Sequence, residues 1–272
     1  MSVRMFLGDQ RVEAIAPDDR GLAYGESLFE TMRACRGAVP WWDAHIARLQ
    51  RGAERLAMPL PDISRMHDEV LALLAGRDAV LKLQLTRGGG VRGYAPDPDA
   101  LPFWMLSMHA LPSPTDPLNV IWCDTTLSVQ PRLAGLKHGN RLEQVLAAAE
   151  VRAAGANDGL MRNARGDCIA ATSANMFIRL DDRWRTPSLN ECGVAGVMRD
   201  WVITQNEINI APVAPAEVER AEAVFLCNAV RGILPVRQLG TCVWPQVHPE
   251  IRALQSRLSQ AHPGFESPLE AS

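Results

Sequence analysis

A chain of 272 residues, 47% hydrophobic and 22% charged, has the make-up of an ordinary globular protein and is long enough for one large domain or two modest ones. A net charge of −3, with no basic stripe interleaved with aromatics, gives no reason to expect nucleic acid as a partner. No apolar run approaches the ~20 residues needed to cross a bilayer, and the opening Met1-Ser-Val-Arg-Met-Phe-Leu does not read as a secretory signal, so a cytoplasmic location without membrane contact is expected.

In chain order, residues 3–15 read as two short strands turning at Gly8-Asp9. Asp43 is placed to cap a helix carrying Ile46, Leu49, Ala53 and Leu56 at helical spacing. A second helix follows from Ile63, with Met66, Val70, Leu71 and Leu74, and stops at Gly76. Strands Val80–Thr86 and Leu101–Met108 flank a Gly/Pro/Asp-rich loop. Three prolines within residues 111–117 mark a linker. Beyond it come a strand at 119–123, a helix at 141–154, strands near 159–163 and 174–180, a helix from Gly196 to about Glu207, and the apolar strand 223–227. The fold class is α/β with mixed sheets: a smaller N-terminal domain, 1–110, and a larger C-terminal one, 118–272, with the cleft between such domains the usual place for a site.

The six cysteines (Cys35, Cys123, Cys168, Cys192, Cys227, Cys242) contain no C-x-x-C pair, which disfavours metal or redox motifs and fits buried free thiols in a reducing compartment. Of 28 basic residues only Lys82 and Lys137 are lysines. Where arginine serves almost every positive charge, lysine remains chiefly where an amine has no substitute, since arginine neither deprotonates nor forms a Schiff base. Lys82 alternates with Leu81 and Leu83 and reads as a strand residue facing solvent or a carboxylate. Lys137 lies between an extended stretch and a helix, in Ala134-Gly-Leu-Lys-His-Gly-Asn-Arg-Leu-Glu-Gln144.

That stretch resembles the signature of class IV (fold type IV) pyridoxal 5′-phosphate (PLP) enzymes, the aminotransferase-like family, and within it the lyases that act on 4-amino-4-deoxychorismate. The resemblance implies a two-domain fold like that of D-amino acid aminotransferases, PLP carried by Lys137, and conversion of a small anionic substrate to 4-aminobenzoate and pyruvate for folate synthesis. It extends over nearly the whole chain. Asp19-Arg20 with Tyr24-Gly-Glu-Ser-Leu-Phe-Glu-Thr31 is similar to the family's opening motif and makes Thr31 the lysine's catalytic assistant, with Tyr24 at the substrate. His45-Ile-Ala-Arg48-Leu is similar to its phosphate motif, which assigns Arg48 to the cofactor, although Arg48 lies off the helix's apolar stripe and reads from periodicity as a solvated position. Gly193-Val-Ala-Gly-Val197-Met198 opens a helix, and helix starts are natural phosphate sites; by resemblance Val197 and Met198 offer backbone N–H groups there, and Asn228-Ala229 makes the last phosphate contact.

The loop Thr86-Arg-Gly-Gly-Gly-Val-Arg92-Gly-Tyr94 lacks the Lys-Ser/Thr of a nucleotide loop. By resemblance it is a substrate loop reaching the partner's site in a homodimer, with Arg92 and Tyr94 gripping a carboxylate. One departure stands out. The family's pyridine-nitrogen glutamate, five residues before Asn175, is here Ala170. An acid there strengthens PLP as an electron sink, so its loss disfavours the rival reading, a D- or branched-chain amino acid aminotransferase. It also leaves room for a paralogue without catalysis.

Overall fold

The computed structural model describes residues 2–90, 93–113 and 117–265. They form two compact units: Met1–Leu111 with Leu136–Asn140, and Pro112–Gly135 with Arg141–Ser272. Among the described residues no helix is long and apolar enough to cross a membrane.

The first unit runs β1 (Ser2–Leu7), β2 (Gln10–Val12), α1 (Arg20–Tyr24), β3 (Ser27–Ala34), α2 (Trp42–Arg55), α3 (Ile63–Leu74), β4 (Ala79–Thr86) and β5 (Phe103–His109). Its strands make an antiparallel sheet in the order β2-β1-β5-β4-β3. Alternation along β3, and along β4 as far as Leu85, decides which face is covered. Leu28, Met32, Leu81, Leu83 and Leu85 point into the core with Ile46, Leu49, Met66, Val70 and Trp104, each fully buried aliphatic side chain contributing roughly 1.5–3 kcal/mol. Phe29, Thr31, Lys82 and Gln84 take the opposite, half-buried face. Asp62 caps α3, accepting from Ser64 N at 2.8 Å and Arg65 N at 3.1 Å, a contribution of about 1 kcal/mol. Asp43 does not cap α2: the helix starts one residue earlier, and Asp43 lies in its first turn, where its charge still complements the helix dipole. Leu71 is exposed; Leu73 takes its expected place in the core.

Chain order assigns Leu136–Asn140 to the C-terminal domain, but backbone bonding places it with the first unit. β3 is an edge strand, and this segment runs along it: Phe29 N donates to Lys137 O at 3.0 Å and Gly139 N to Ser27 O at 2.8 Å. An edge strand's unused donors and acceptors are a template for such an addition. Gly25, left-handed at φ 68°, ends α1, and a Cβ there would lie 2.0 Å from Asn140 Oδ1, so this approach requires glycine.

The second unit contains β6 (Leu118–Trp122), α4 (Leu142–Ala153), β7 (Asp158–Arg162), β8 (Cys168–Ala171), β9 (Asn175–Leu180), β10 (Arg183–Pro187), α5 (Val197–Gln205), β11 (Ile208–Ala211), α6 (Pro215–Glu219), β12 (Ala223–Asn228), β13 (Gly232–Leu239), β14 (Cys242–Val243) and α7 (Pro249–Ala261). The sheet order is β11-β10-β9-β12-β13-β6-β7-β8, with β14 on β13. The pairing of Ala170 with Asn175 joins β8 back to β9, so six strands close into a ring and lose their edges. Its interior is apolar: Leu118, Leu160, Met176, Ile178, Val224, Leu226 and Val236 pack together.

Candidate functional site

In the first unit, a buried cluster of charge lies on α2 and β3. A separation of three residues puts His45 and Arg48 on one side of α2, and both meet Glu30. Arg48 Nε donates to Glu30 Oε1 at 2.8 Å and its NH2 group to Oε2; His45 Nδ1 is 2.6 Å from Oε2. All three are buried. Burial alone would raise the Glu30 pKa, but the charge and hydrogen bonds of Arg48, with those of His45, bring it down to about 2. Glu30 is thus a carboxylate that only accepts, which fixes the His45 proton on Nδ1. Burial holds His45 below its ordinary value, with Glu30 pulling the other way and Arg48 and Lys137 adding to the depression. Its Nε2 is buried without a hydrogen-bond partner.

Lys137 extends over the Phe29 ring, its Nζ 4.3 Å from the centroid. Thr31 follows Phe29 on the same face of β3. The sequence-derived candidates Lys137 and Thr31 therefore neighbour one ring, with Arg48 buried in the same unit. Tyr24, at the end of α1, accepts from Gly93 N through its hydroxyl at 3.2 Å and packs against Tyr94 with ring centroids 5.5 Å apart. Tyr94 is 87% exposed. Arg92 lies outside the described residues.

In the second unit, α5 begins at Val197 with Gly196 as its N-cap, and no side chain caps it. The free N–H groups and positive dipole end of that turn suit a dianion. Val197 and Met198 bury their side chains, so they present backbone. Asn175 shapes the approach: its Nδ2 donates to Val194 O at 2.9 Å, and a Cβ on Gly196 would lie 2.1 Å from its Oδ1. Asn228 works on its own turn, accepting from Val230 N and Arg231 N at 3.1 and 2.8 Å, with Ala229 held inside that turn. Asn228 Nδ2 also donates to Ser173 O at 3.3 Å.

Ala170 is buried at the pair that closes the strand ring. Among the described residues of this unit the buried acid is Asp158, and its oxygens are occupied. They accept from Gly159 N, Thr172 N, Thr172 Oγ1 and Ser173 Oγ at 2.5–3.1 Å.

Sequence reading overlooked Glu30, His45 as a partner, and Asn175. For the first two the signal was present, in the three-residue spacing to Arg48 and in a glutamate at a core-facing strand position. Asn175 was used only as a landmark. All six cysteines are free thiols, but Cys35 and Cys242 are half-buried rather than buried.

The model for class IV amino-transferases matches residues 27–239 of this chain. An aminodeoxychorismate lyase of Vibrio harveyi is 34% identical over 233 residues, 80% of this chain and 84% of that protein. The crystal structure of 4-amino-4-deoxychorismate lyase from Pseudomonas aeruginosa superposes with a TM-score of 0.88 at 40% identity, covering 95% of this chain and 99% of that one. The Escherichia coli branched-chain amino acid aminotransferase shares the fold, with a TM-score of 0.86 at 17% identity over 97% of this chain and 96% of that one.

Proposed function

The chain belongs to the class IV amino-transferase family, and from that premise we propose that it is a PLP-dependent lyase converting 4-amino-4-deoxychorismate to 4-aminobenzoate and pyruvate. The observation that carries this reading is the setting of Lys137, one of two lysines in the chain, on the edge of β3 over Phe29, whose strand face Thr31 shares, in a chain 34–40% identical to lyases of that activity.

The residues fit the cofactor. A phosphorylated aldehyde needs an amine to bond, which Lys137 provides, and donors for a dianion. Arg48 and the uncapped start of α5 at Val197 and Met198 are such donors, with the Asn228-Ala229 turn as a further contact. When bound, PLP supplies an electron sink for negative charge at the carbon carrying the substrate amine. Once the substrate amine has replaced Lys137 on the aldehyde carbon, the freed Lys137 amine would take the proton from that ring carbon. The C–O bond to the enolpyruvyl group on the adjacent carbon then breaks, its electron pair leaving with oxygen as the ring becomes aromatic. Thr31 assists that departure, and the leaving fragment gains a proton on its vinyl carbon to end as pyruvate. Glu30 and His45 hold Arg48 in place.

Ala170 supports the lyase over an aminotransferase. Aromatisation drives the elimination, whereas a transamination cycle relies more heavily on an acid at the ring nitrogen. Tyr24 and Tyr94, with Arg92, are proposed for the substrate carboxylates, and the working form is proposed to be a cytoplasmic homodimer. Free thiols suit a reducing compartment, and the exposed apolar side of α4 suits self-association. The test is product release. 4-Aminobenzoate and pyruvate should form in equal amounts from 4-amino-4-deoxychorismate, without a keto acid. Keto-acid-dependent exchange of amino acids, with no 4-aminobenzoate, would replace this reading with the aminotransferase.

A further inference from the structure

His45 is buried in the first unit at 1% exposure, and hydrogen bonding accounts for only one side of its ring. Glu30, a carboxylate that only accepts, fixes the proton on Nδ1. The neutral ring then offers a lone pair at Nε2, and that atom is buried without a hydrogen-bond partner. A buried acceptor left unpaired is costly, so its place in the molecule calls for a physical reason. The charged groups facing the ring are Glu30 from β3, Arg48 one turn along α2, and Lys137 from the segment that runs along β3. Two of these three are the residues assigned to the cofactor.

Charge counting gives Nε2 a task. Glu30 takes the Nε and the NH2 group of Arg48, so one carboxylate cancels the single guanidinium charge. With His45 neutral, Glu30, Arg48 and His45 sum to zero, whereas a phosphate ester above about pH 6 brings close to two negative charges. An arriving dianion favours the protonated form of a nearby imidazole, and the other ring nitrogen already donates to a carboxylate that stabilises the cation. We propose that His45 is the proton-linked member of the cofactor-phosphate site: binding of the dianion is accompanied by uptake of one proton at Nε2. The resulting imidazolium is the positive charge that Arg48, already neutralised by Glu30, does not supply. The proposal rests on the assignment of Arg48 to the phosphate. One N–H bond forms at Nε2, and a buffer acid gives up the proton. Without the phosphate, burial holds His45 below its ordinary value, with Arg48 and Lys137 adding to the depression against the pull of Glu30, so the ring is neutral at pH 7. PLP affinity then gains a pH dependence that an arginine anchor alone does not give, because arginine keeps its charge throughout.

The experiment uses the full-length protein with 15N-labelled histidine, stripped of PLP and then reloaded, at neutral pH. The 15N resonances of an imidazole report directly which of its nitrogens carry protons. Those of His45 are assigned by their loss in His45→Asn, or by replacing the other histidines singly should that variant not fold. His45 should carry a proton on Nδ1 alone in the stripped protein and on both nitrogens in the loaded one. Asparagine keeps a donor for Glu30 and has nothing to titrate. From pH 7 upward, the PLP concentration for half-saturation should therefore rise more steeply in the parent than in His45→Asn, one linked proton being worth up to about tenfold per pH unit. A His45 ring in the same protonation state with and without PLP, or equal pH dependence in the two proteins, overturns the proposal. With borohydride still labelling Lys137 and Arg48→Ala still weakening PLP, the cofactor reading then stands. A parent that neither binds PLP nor is labelled at Lys137 overturns both.

Discussion

Burying Glu30 against Arg48 and His45 ties the stability of the first unit to pH, and the sign follows from the direction of each shift. Unfolded, Glu30 takes up its proton near 4.5; folded, only near 2. Its contribution is therefore present above 4.5 and lost as pH falls towards 2. His45 is also depressed from 6.5, so the unfolded chain binds that proton first and stability is lost as pH drops below 6.5. Both slopes have the same sign, and the melting temperature should fall steadily between pH 7 and pH 3. Glu30→Gln should cost about 3–5 kcal/mol at neutral pH, because it leaves the buried Arg48 without its counter-charge, and should flatten the slope below pH 4.5. Equal acid slopes in parent and variant would contradict the buried ion pair. Arg48→Ala should raise the PLP concentration for half-saturation by about tenfold or more, with turnover largely restored at saturating PLP, since an anchor is felt equally in ground and transition states. Periodicity reads Arg48 as solvated because it identifies a single buried stripe. α2 in fact buries two sides, Ile46 and Leu49 on the core and His45 and Arg48 on Glu30.

At the scale of elements, α1 clamps the described ends of the glycine-rich loop. Arg20 N donates to Gly88 O at 2.9 Å, and the Arg20 guanidinium donates to Gly93 O and Tyr94 O, each at 2.8 Å, and to Glu26 at 2.5 Å. Glu26 in turn accepts from Arg87 at 2.6 Å, and Asp19 caps α1 while accepting from Thr86 Oγ1 at 2.7 Å. This network gives the opening Asp19-Arg20 a physical task that sequence alone did not disclose, because its partners lie about 70 residues away. Arg20→Ala should loosen the loop end, freeing the Gly93 amide from the Tyr24 hydroxyl so that it exchanges at least about tenfold faster, equivalent to roughly 1.4 kcal/mol, with the β4 amides of Leu81 and Leu83 unchanged. Uniform acceleration across β4 would mean that Arg20 supports the whole unit instead. Elements with strong local patterns were legible within a residue or two: the Gly8-Asp9 turn, α3, the β4–β5 pair and α5. α7 was not identified, although Pro249 at its start and Ile251, Leu254 and Leu258 carry a helical signal. The attachment of Leu136–Asn140 to β3 was not legible, since edge pairing between distant segments leaves no local periodicity.

For the molecule as a whole, family, cofactor and fold were legible because the stretch around Lys137 is long and chemically specific, whereas the proposed self-association leaves a weaker trace. α4 exposes Leu142, Val145 and Leu146 at 77, 59 and 59%, a contiguous apolar stripe of the kind that marks an interface. Leu146→Arg should shift the protein from dimer to monomer in sedimentation at micromolar concentration, with its circular dichroism unchanged. A parent already monomeric, or a variant still dimeric, would remove α4 from the interface. The central claim concerns a single amine, and a chain with two lysines permits a direct measurement. The PLP-loaded protein is reduced with borohydride, weighed intact and mapped. One phosphopyridoxyl group per chain, on Lys137 and absent from Lys137→Ala, is the expected result; a label on Lys82, or none in a protein saturated with PLP, would contradict it.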